Sequence, residues 1–228
     1  MAKSNKRTAK AKPKYEYEAK TENQRRYLEA IESNKIIFGV GAAGTGKSYL
    51  AIAKALDGLF TKNHKGGYRQ IILTRPAVEA GEHLGSLPGD IQAKIHPFVY
   101  PLYDNMLKFV SKAELDKLIE TDKIKILPLA YMRGVTFRNA FVIVDEAQNT
   151  KPSQMLCLLT RMDSDSKIVI TGDRKQTDIR GVNGLEDAMM RLLDIDGITA
   201  VNFGIDDIMR DQIIKDIIVA YDKKLKLE

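Results

Sequence analysis

Residues 41–48 read Gly-Ala-Ala-Gly-Thr-Gly-Lys-Ser, a G-x-x-x-x-G-K-S run that follows the apolar segment Ile36–Val40 without a break. This spacing constrains the fold more than any other feature, because it needs a buried strand leading in and a helix leading out. Glycines let the backbone curl until successive N–H groups converge on phosphate oxygens, and the helix that opens near Lys47 adds the positive end of its dipole. Lys47 is placed to reach β- and γ-phosphates, and Ser48 to ligate Mg²⁺. The expected nucleotide-binding residues are therefore Gly41, Ala42, Ala43, Gly44, Thr45, Gly46, Lys47 and Ser48, with Tyr49 directly after them.

A second element supports the first. Phe141-Val142-Ile143-Val144-Asp145-Glu146 is an apolar run ending in two acids, the pattern of a Walker B strand. Asp145 would hold Mg²⁺, and Glu146 would orient and deprotonate an attacking water. Beyond a third apolar run, Ile168–Thr171, stand Asp173 and Gln176, where the crevice of an open α/β sheet lies. The Gln176 amide there can meet both a γ-phosphate and a water. Gln24, upstream of the loop, carries a donor and an acceptor matched to the N6 and N7 edge of adenine.

The rest of the chain alternates in the same way. Strand-like runs at 36–40, 70–74, 125–129, 140–144, 167–171 and 198–203 are separated by helical patterns at 22–33, 47–60, 88–109, 111–120, 152–161 and 184–193. A last amphipathic helix is expected from Asp206, as N-cap, to Tyr221, with Met209, Ile213 and Ile217 on one face. Buried strands joined through helices imply an α/β fold with a mostly parallel sheet covered on both faces. The 228 residues suit one such domain.

Charge divides the chain further. The first twenty residues carry seven Lys/Arg against Glu16 and Glu18, so +5 of the formal net charge of +6 sits there and the body is nearly neutral. Residues 1–20 are expected to be a basic disordered arm, either solubilising or attracting nucleic acid, with the folded domain over 21–228. No apolar run reaches the roughly 18 residues of a membrane span, no secretory signal is evident, and Cys157 is the single cysteine. A cytoplasmic chain without a disulfide or membrane partner is expected.

Gln24, GAAGTGKS, DEAQN and GDRKQ, in this order, resemble the superfamily-1 helicase core, and the longer likeness is to the PhoH family of RecA-like ATPases. It runs over about 21–221 and takes in Leu73–Glu82, Leu87–Asp90, Pro101–Asp104, Leu129–Gly134 and Asp145–Thr150. Three positions depart from the family pattern: Val135 replaces an arginine, Asp178-Ile179-Arg180 replaces Asp-Leu-Pro, and Arg210-Asp211 replaces Arg-His. The resemblance implies a single RecA-like P-loop domain that binds ATP and Mg²⁺. With room for one lobe, it also implies a homo-oligomeric ring, hexameric, in which a neighbour's arginine completes each site. Arg210 and then Arg180 are the candidates for that arginine. Arg75 and Arg133 match family positions that would contact single-stranded RNA or DNA.

Other chemistry finds less support. His64, His83 and His96 share no metal-ligand spacing, and Cys157 sits in an apolar stretch as a core residue would. The guanine-reading Asn-Lys-x-Asp is absent, although Asp194–Gly197 fits a loose D-x-x-G, so a GTPase or a small-molecule kinase is the competing enzyme reading. A different class of function is also open: an oligomeric binding module gated by nucleotide, with negligible turnover.

Overall fold

A computed structural model describes residues 17–60, 67–76, 100–132 and 134–224. In chain order these are α1 (Glu22–Ser33), β1 (Ile36–Val40), α2 (Lys47–Phe60), β2 (Gln70–Arg75), α3 (100–107), α4 (Lys112–Glu120), β3 (Ile124–Pro128), β4 (Ala140–Val144), α5 (Pro152–Leu159), β5 (Lys167–Gly172), α6 (Gly184–Leu192), β6 (Ile198–Asn202) and α7 (Gln212–Lys224). The strands form one six-stranded sheet in the order β3-β2-β4-β5-β1-β6, and every pairing is parallel. This is the α/β architecture the alternating pattern implies. The order has a consequence for the site: β5 lies between β1, which leads into the phosphate loop, and β4, which ends in the paired acids.

Alternation along each strand sends side chains to two cores, as the period of two requires. Ile37, Ile71, Leu73, Phe141, Ile143 and Val169 join Tyr27, Ile31, Leu50 and Leu56 on one face. Phe38, Val40, Ile72, Val142, Val144, Ile168 and Ile170 join Met155, Leu158, Leu185 and Ala188 on the other. Each Val, Leu, Ile, Phe or Met among them contributes about 1.5–3 kcal/mol by leaving water. Because both sheet faces are covered, the strands read as continuous apolar runs rather than as alternating ones.

Local signals set the helix ends. Thr21 caps α1 through its hydroxyl, which accepts from the Gln24 N–H at 3.2 Å, and Tyr27 and Ile31, one turn apart, carry the buried stripe. Ser111 caps α4 and Asn183 caps α6 in the same manner. Pro152 opens α5, where a missing N–H costs nothing.

Two expectations are corrected. The last helix begins at Gln212, not Asp206. Residues 205–207 form one 3₁₀ turn, and the backbone after it is committed elsewhere: the Met209 N–H donates to the Gly44 carbonyl at 2.9 Å. Its apolar stripe also faces outward, with Ile213, Ile217 and Tyr221 at 62%, 48% and 73% exposure. Residues 17–20, expected to belong to the basic disordered arm, pack on the domain instead. The Tyr17 hydroxyl donates to Asp57 Oδ2 at 2.6 Å and the Lys20 N–H to Gln24 Oε1 at 2.7 Å. Residues 1–16, the three histidines, Arg133 and the motif residues 77–82 and 87–90 lie outside the described residues.

Candidate nucleotide site

A cleft of about 990 Å³ opens at the carboxyl ends of β1, β2, β4 and β5, where parallel sheets of this kind place ligands. Ala43, Gly44, Gly46, Lys47, Ser48 and Tyr49 line it, facing Asp145, Glu146, Asp173 and Gln176. Gly41, Ala42 and Thr45 stand behind this wall and brace it. The Lys47 ammonium donates to the carbonyls of Gly41 and Ala42 at 2.6 and 2.7 Å, and the Thr45 hydroxyl donates to the Ala42 carbonyl at 3.0 Å.

Glycine is needed in this loop for two separate reasons. At Gly41 a Cβ would stand 2.5 Å from the carbonyl oxygen of Phe203, because β6 ends against the loop. At Gly44 the backbone has φ +84°, a left-handed conformation that side chains rarely adopt.

Asp145 is buried, and its Oδ1 accepts from the Ser48 hydroxyl and the Thr171 hydroxyl, each at 2.7 Å. That puts one carboxylate oxygen and one hydroxyl oxygen within a single coordination sphere of each other. The donor set fits Mg²⁺, which takes one or two carboxylates and completes its shell with water and substrate phosphates. Among the described residues no cluster of three or more His, Cys, Asp or Glu offers a separate metal site. Lys47 is buried, which pushes its ammonium below the ordinary lysine range, while Asp173, Asp145 and Glu146 pull the other way.

Glu146 follows with φ 53° and ψ 41°, an unusual conformation for a residue with a side chain. Both of its carboxylate oxygens are engaged. Oε2 accepts from Gln148 Nε2 at 2.6 Å, and Oε1 lies 3.6 Å from an Arg75 guanidinium nitrogen. Gln148 is itself almost fully buried. Its Oε1 accepts from the Asp173 N–H at 3.0 Å and its Nε2 also donates to the Gln176 carbonyl at 3.2 Å, so it ties the end of β4 to the loop after β5.

The structure sorts the remaining candidates. Gln24 reaches the phosphate loop, but both ends of its amide are spent on the chain: Nε2 donates to the Thr45 carbonyl at 3.0 Å while Oε1 accepts from Lys20. Gln24 also lines the cleft, so the residue expected to read adenine stands on the cleft wall and braces the loop from there. Tyr49 is on the cleft wall, with its ring 4.6 Å from that of Phe109. Arg210 lies along its own chain's Gly44, where a Cβ would meet its Nε at 2.9 Å, and it lines its own cleft. Expected to complete a neighbour's site, Arg210 lies within its own chain at the cleft beside the phosphate loop. The reason is local: buried Asp207 accepts from Thr21, Asn23 and the Gly204 N–H, pinning the chain after β6 to α1 and bringing Met209 and Arg210 onto the loop. Arg180 is exposed and is not among the residues that line the cleft. Arg75, expected to face a nucleic-acid strand, points its charge at Glu146.

Sequence reasoning missed Gln148 and Thr171. The amide two residues after Glu146 was visible, but its partners come from β5 and its loop, about 25 positions away. No spacing rule reports such a meeting.

A family model described as PhoH-like protein matches residues 16–222. The chain belongs to the PhoH family. The PhoH-like protein of Bacillus subtilis (strain 168) is 49% identical over 207 residues, which cover 90% of this chain and 64% of that protein. The PhoH-like protein of Mycobacterium tuberculosis (strain ATCC 25618 / H37Rv) is 48% identical over 204 residues, and Protein PhoH of Escherichia coli (strain K12) is 41% identical over 207. Each of these two alignments covers 89% of this chain and 57% of the relative, so the chain spans about three fifths of the length of the PhoH relatives it matches. Among solved structures, the large terminase from a thermophilic bacteriophage superposes with a TM-score of 0.52 at 12% identity, over 86% of this chain and 48% of that one. That likeness concerns the fold. Family, sheet order and loop together make this PhoH-family domain a P-loop nucleotide-hydrolase fold. Among the described residues no helix is long and apolar enough to cross a membrane.

Proposed function

We propose that the chain hydrolyses ATP with Mg²⁺. The observation that carries this reading is the convergence in one cleft of Lys47 on the phosphate loop, the Ser48–Asp145 pair, and Glu146 held by Gln148. In this assignment Lys47 and the loop amides hold the β- and γ-phosphates and Gln176 faces the terminal one. Ser48 and Asp145 hold the magnesium ion, whose charge would offset that building on the transferred phosphoryl group. Glu146 positions the attacking water and takes its proton. Arg210, across the loop from the same chain, adds positive charge at Gly44.

The same proposal includes assembly of identical chains into a hexameric ring and coupling of hydrolysis to single-stranded RNA or DNA. The outward stripe of Ile213, Ile217 and Tyr221 on α7 supports assembly, since a helix of this length seldom leaves three large apolar side chains to water. Exposed Arg180 stays available to a neighbour. The alternative, a nucleotide-gated assembly module with negligible turnover, draws on one contact, the Met209–Gly44 hydrogen bond, which links the phosphate loop to the segment entering α7.

The test is steady-state ATP hydrolysis with Mg²⁺, with and without single-stranded RNA, using Glu146→Gln as the blank. Turnover well above the blank, with the variant still binding ATP, supports the hydrolase. A rate equal to the blank in every condition, together with a nucleotide-dependent change of oligomer size in light scattering, would replace it by the gated module.

A further inference from the structure

Arg75 is the last residue of β2 and Glu146 lies two residues beyond β4, the neighbouring strand. The Asp145 N–H donates to the Thr74 carbonyl at 2.9 Å, so strand register itself brings the two charges together at 3.6 Å. This is no chance meeting of long surface side chains. It leaves Glu146 hydrogen-bonded by Gln148 at Oε2 and ion-paired with Arg75 at Oε1, beyond hydrogen-bond distance. A carboxylate that must accept a proton from water is a weaker base while a guanidinium is held beside one of its oxygens.

The partners differ in how easily they let go. Gln148 is buried and bonded three ways, whereas Arg75 and Glu146 keep 28% and 35% of their side chains exposed. A pair this open is worth little and exchanges partners readily. Phosphate competes well for it, because guanidinium binds phosphate and carboxylate oxygens with the same two-pronged geometry. Aromatic rings stand on the elements beside Arg75. In β3 its register partner is Pro128, three residues before Tyr131, which is 52% exposed. Pro101 shares the cleft wall with Arg75, and next to it Tyr100, 50% exposed, stacks on Tyr103 with ring centroids 6.5 Å apart. Exposed rings on the elements that flank a releasable arginine supply the two parts that single-stranded nucleic acid uses, rings for bases and a cation for phosphate.

We propose that Arg75 is a latch on Glu146, and that the phosphodiester of a single strand stacked on Tyr100 and Tyr131 draws the guanidinium away and frees Glu146 for hydrolysis. This rests on the ATPase reading above. It makes Arg75 a positioning residue that acts through Glu146, and it gives nucleic acid a defined route to the reaction centre.

The experiment compares wild type, Arg75→Ala and Arg75→Lys in ATP hydrolysis, with and without an oligouridylate of about twenty nucleotides. Binding of the same oligonucleotide is followed by fluorescence anisotropy across a salt series, and thermal melting confirms that each variant is folded. Losing the latch should raise basal kcat of Arg75→Ala about two- to fivefold, the factor a part-exposed ion pair can hold back, with KM for ATP little changed. Oligouridylate should stimulate wild type but not Arg75→Ala, and the salt slope of binding should fall by about one phosphate contact. Arg75→Lys, which keeps the charge, should bring basal kcat back toward the wild-type value and recover part of the stimulation. Three results would overturn the latch: a basal kcat of Arg75→Ala at or below wild type, stimulation that survives in Arg75→Ala, or wild-type hydrolysis indifferent to the oligonucleotide. Each of these leaves the hydrolase standing, whereas a wild type that binds ATP without turning it over removes both.

Discussion

The Nε2 of Gln148 donates to the Oε2 of Glu146 at 2.6 Å, although the two lie only two residues apart and Glu146 itself holds a left-handed backbone with φ 53°. The bond fixes where the carboxylate points, and the other end of the amide fixes where the loop after β5 sits. Gln148→Ala is expected to lower kcat for ATP by about 10–10²-fold, the loss that follows misplacing a catalytic group by about 1 Å. Nucleotide affinity, measured by a fluorescent analogue, should stay within about threefold because Gln148 does not line the cleft. An affinity loss as large as the rate loss would mean that the side chain holds the loop rather than the base.

Gln24 separates two readings of one amide. As a brace on Thr45 it loosens the phosphate loop for every nucleotide when removed, and as a base reader it would affect adenine alone. Gln24→Ala should therefore weaken ATP and GTP equally, by about 2–13-fold, which is one hydrogen bond of about 0.5–1.5 kcal/mol. A loss confined to ATP in paired titrations would favour the adenine reading.

Gly44 carries a left-handed backbone and lies under the flexible Arg210 side chain. Gly44→Ala should cost about 1–2 kcal/mol of unfolding free energy through φ alone, since Arg210 can swing aside. Adding Arg210→Ala should recover almost none of it in urea titration. Recovery of most of the loss would show that the contact, and not the backbone, sets the requirement.

Lys167 is a buried cation on β5 whose ammonium donates to the carbonyls of Ile31 and Glu32 at the end of α1. Burial, with Lys35 nearby adding to it, pushes its pKa down to about 8. An unfolded lysine holds its proton to about 10.4, so between these values the unfolded chain binds more protons and stability rises with pH. Relative to Lys167→Met, wild type should gain about 1 kcal/mol between about pH 7.5 and 9 in urea unfolding. A difference independent of pH would mean that the carbonyl bonds keep the ammonium charged throughout.

Composition, spacing and period determined a great deal here. The glycine run after an apolar strand, the second run ending in Asp145-Glu146 and the six alternating elements are local patterns. Each reports its own physics: backbone freedom at glycine and burial of β-branched runs. The strands and helices therefore lie close to where periodicity put them, and Ala43, Gly44, Gly46, Lys47, Ser48 and Tyr49 of the loop line one cleft. Tertiary structure decided what depends on distance through space. That β5 enters between β1 and β4 is a matter of chain crossing, which no window of residues records. The pairing of Arg75 with Glu146 follows from β2 and β4 being neighbours, and the closure of Arg210 on its own Gly44 from Asp207 holding α1 to the segment after β6, while the reach of Gln24 to Thr45 is likewise a contact through space. The start of α7 shows the contrast at a single point: Asp206 has the chemistry of an N-cap, but the Met209 N–H is already bonded to the phosphate loop, and the helix begins only after that contact is made.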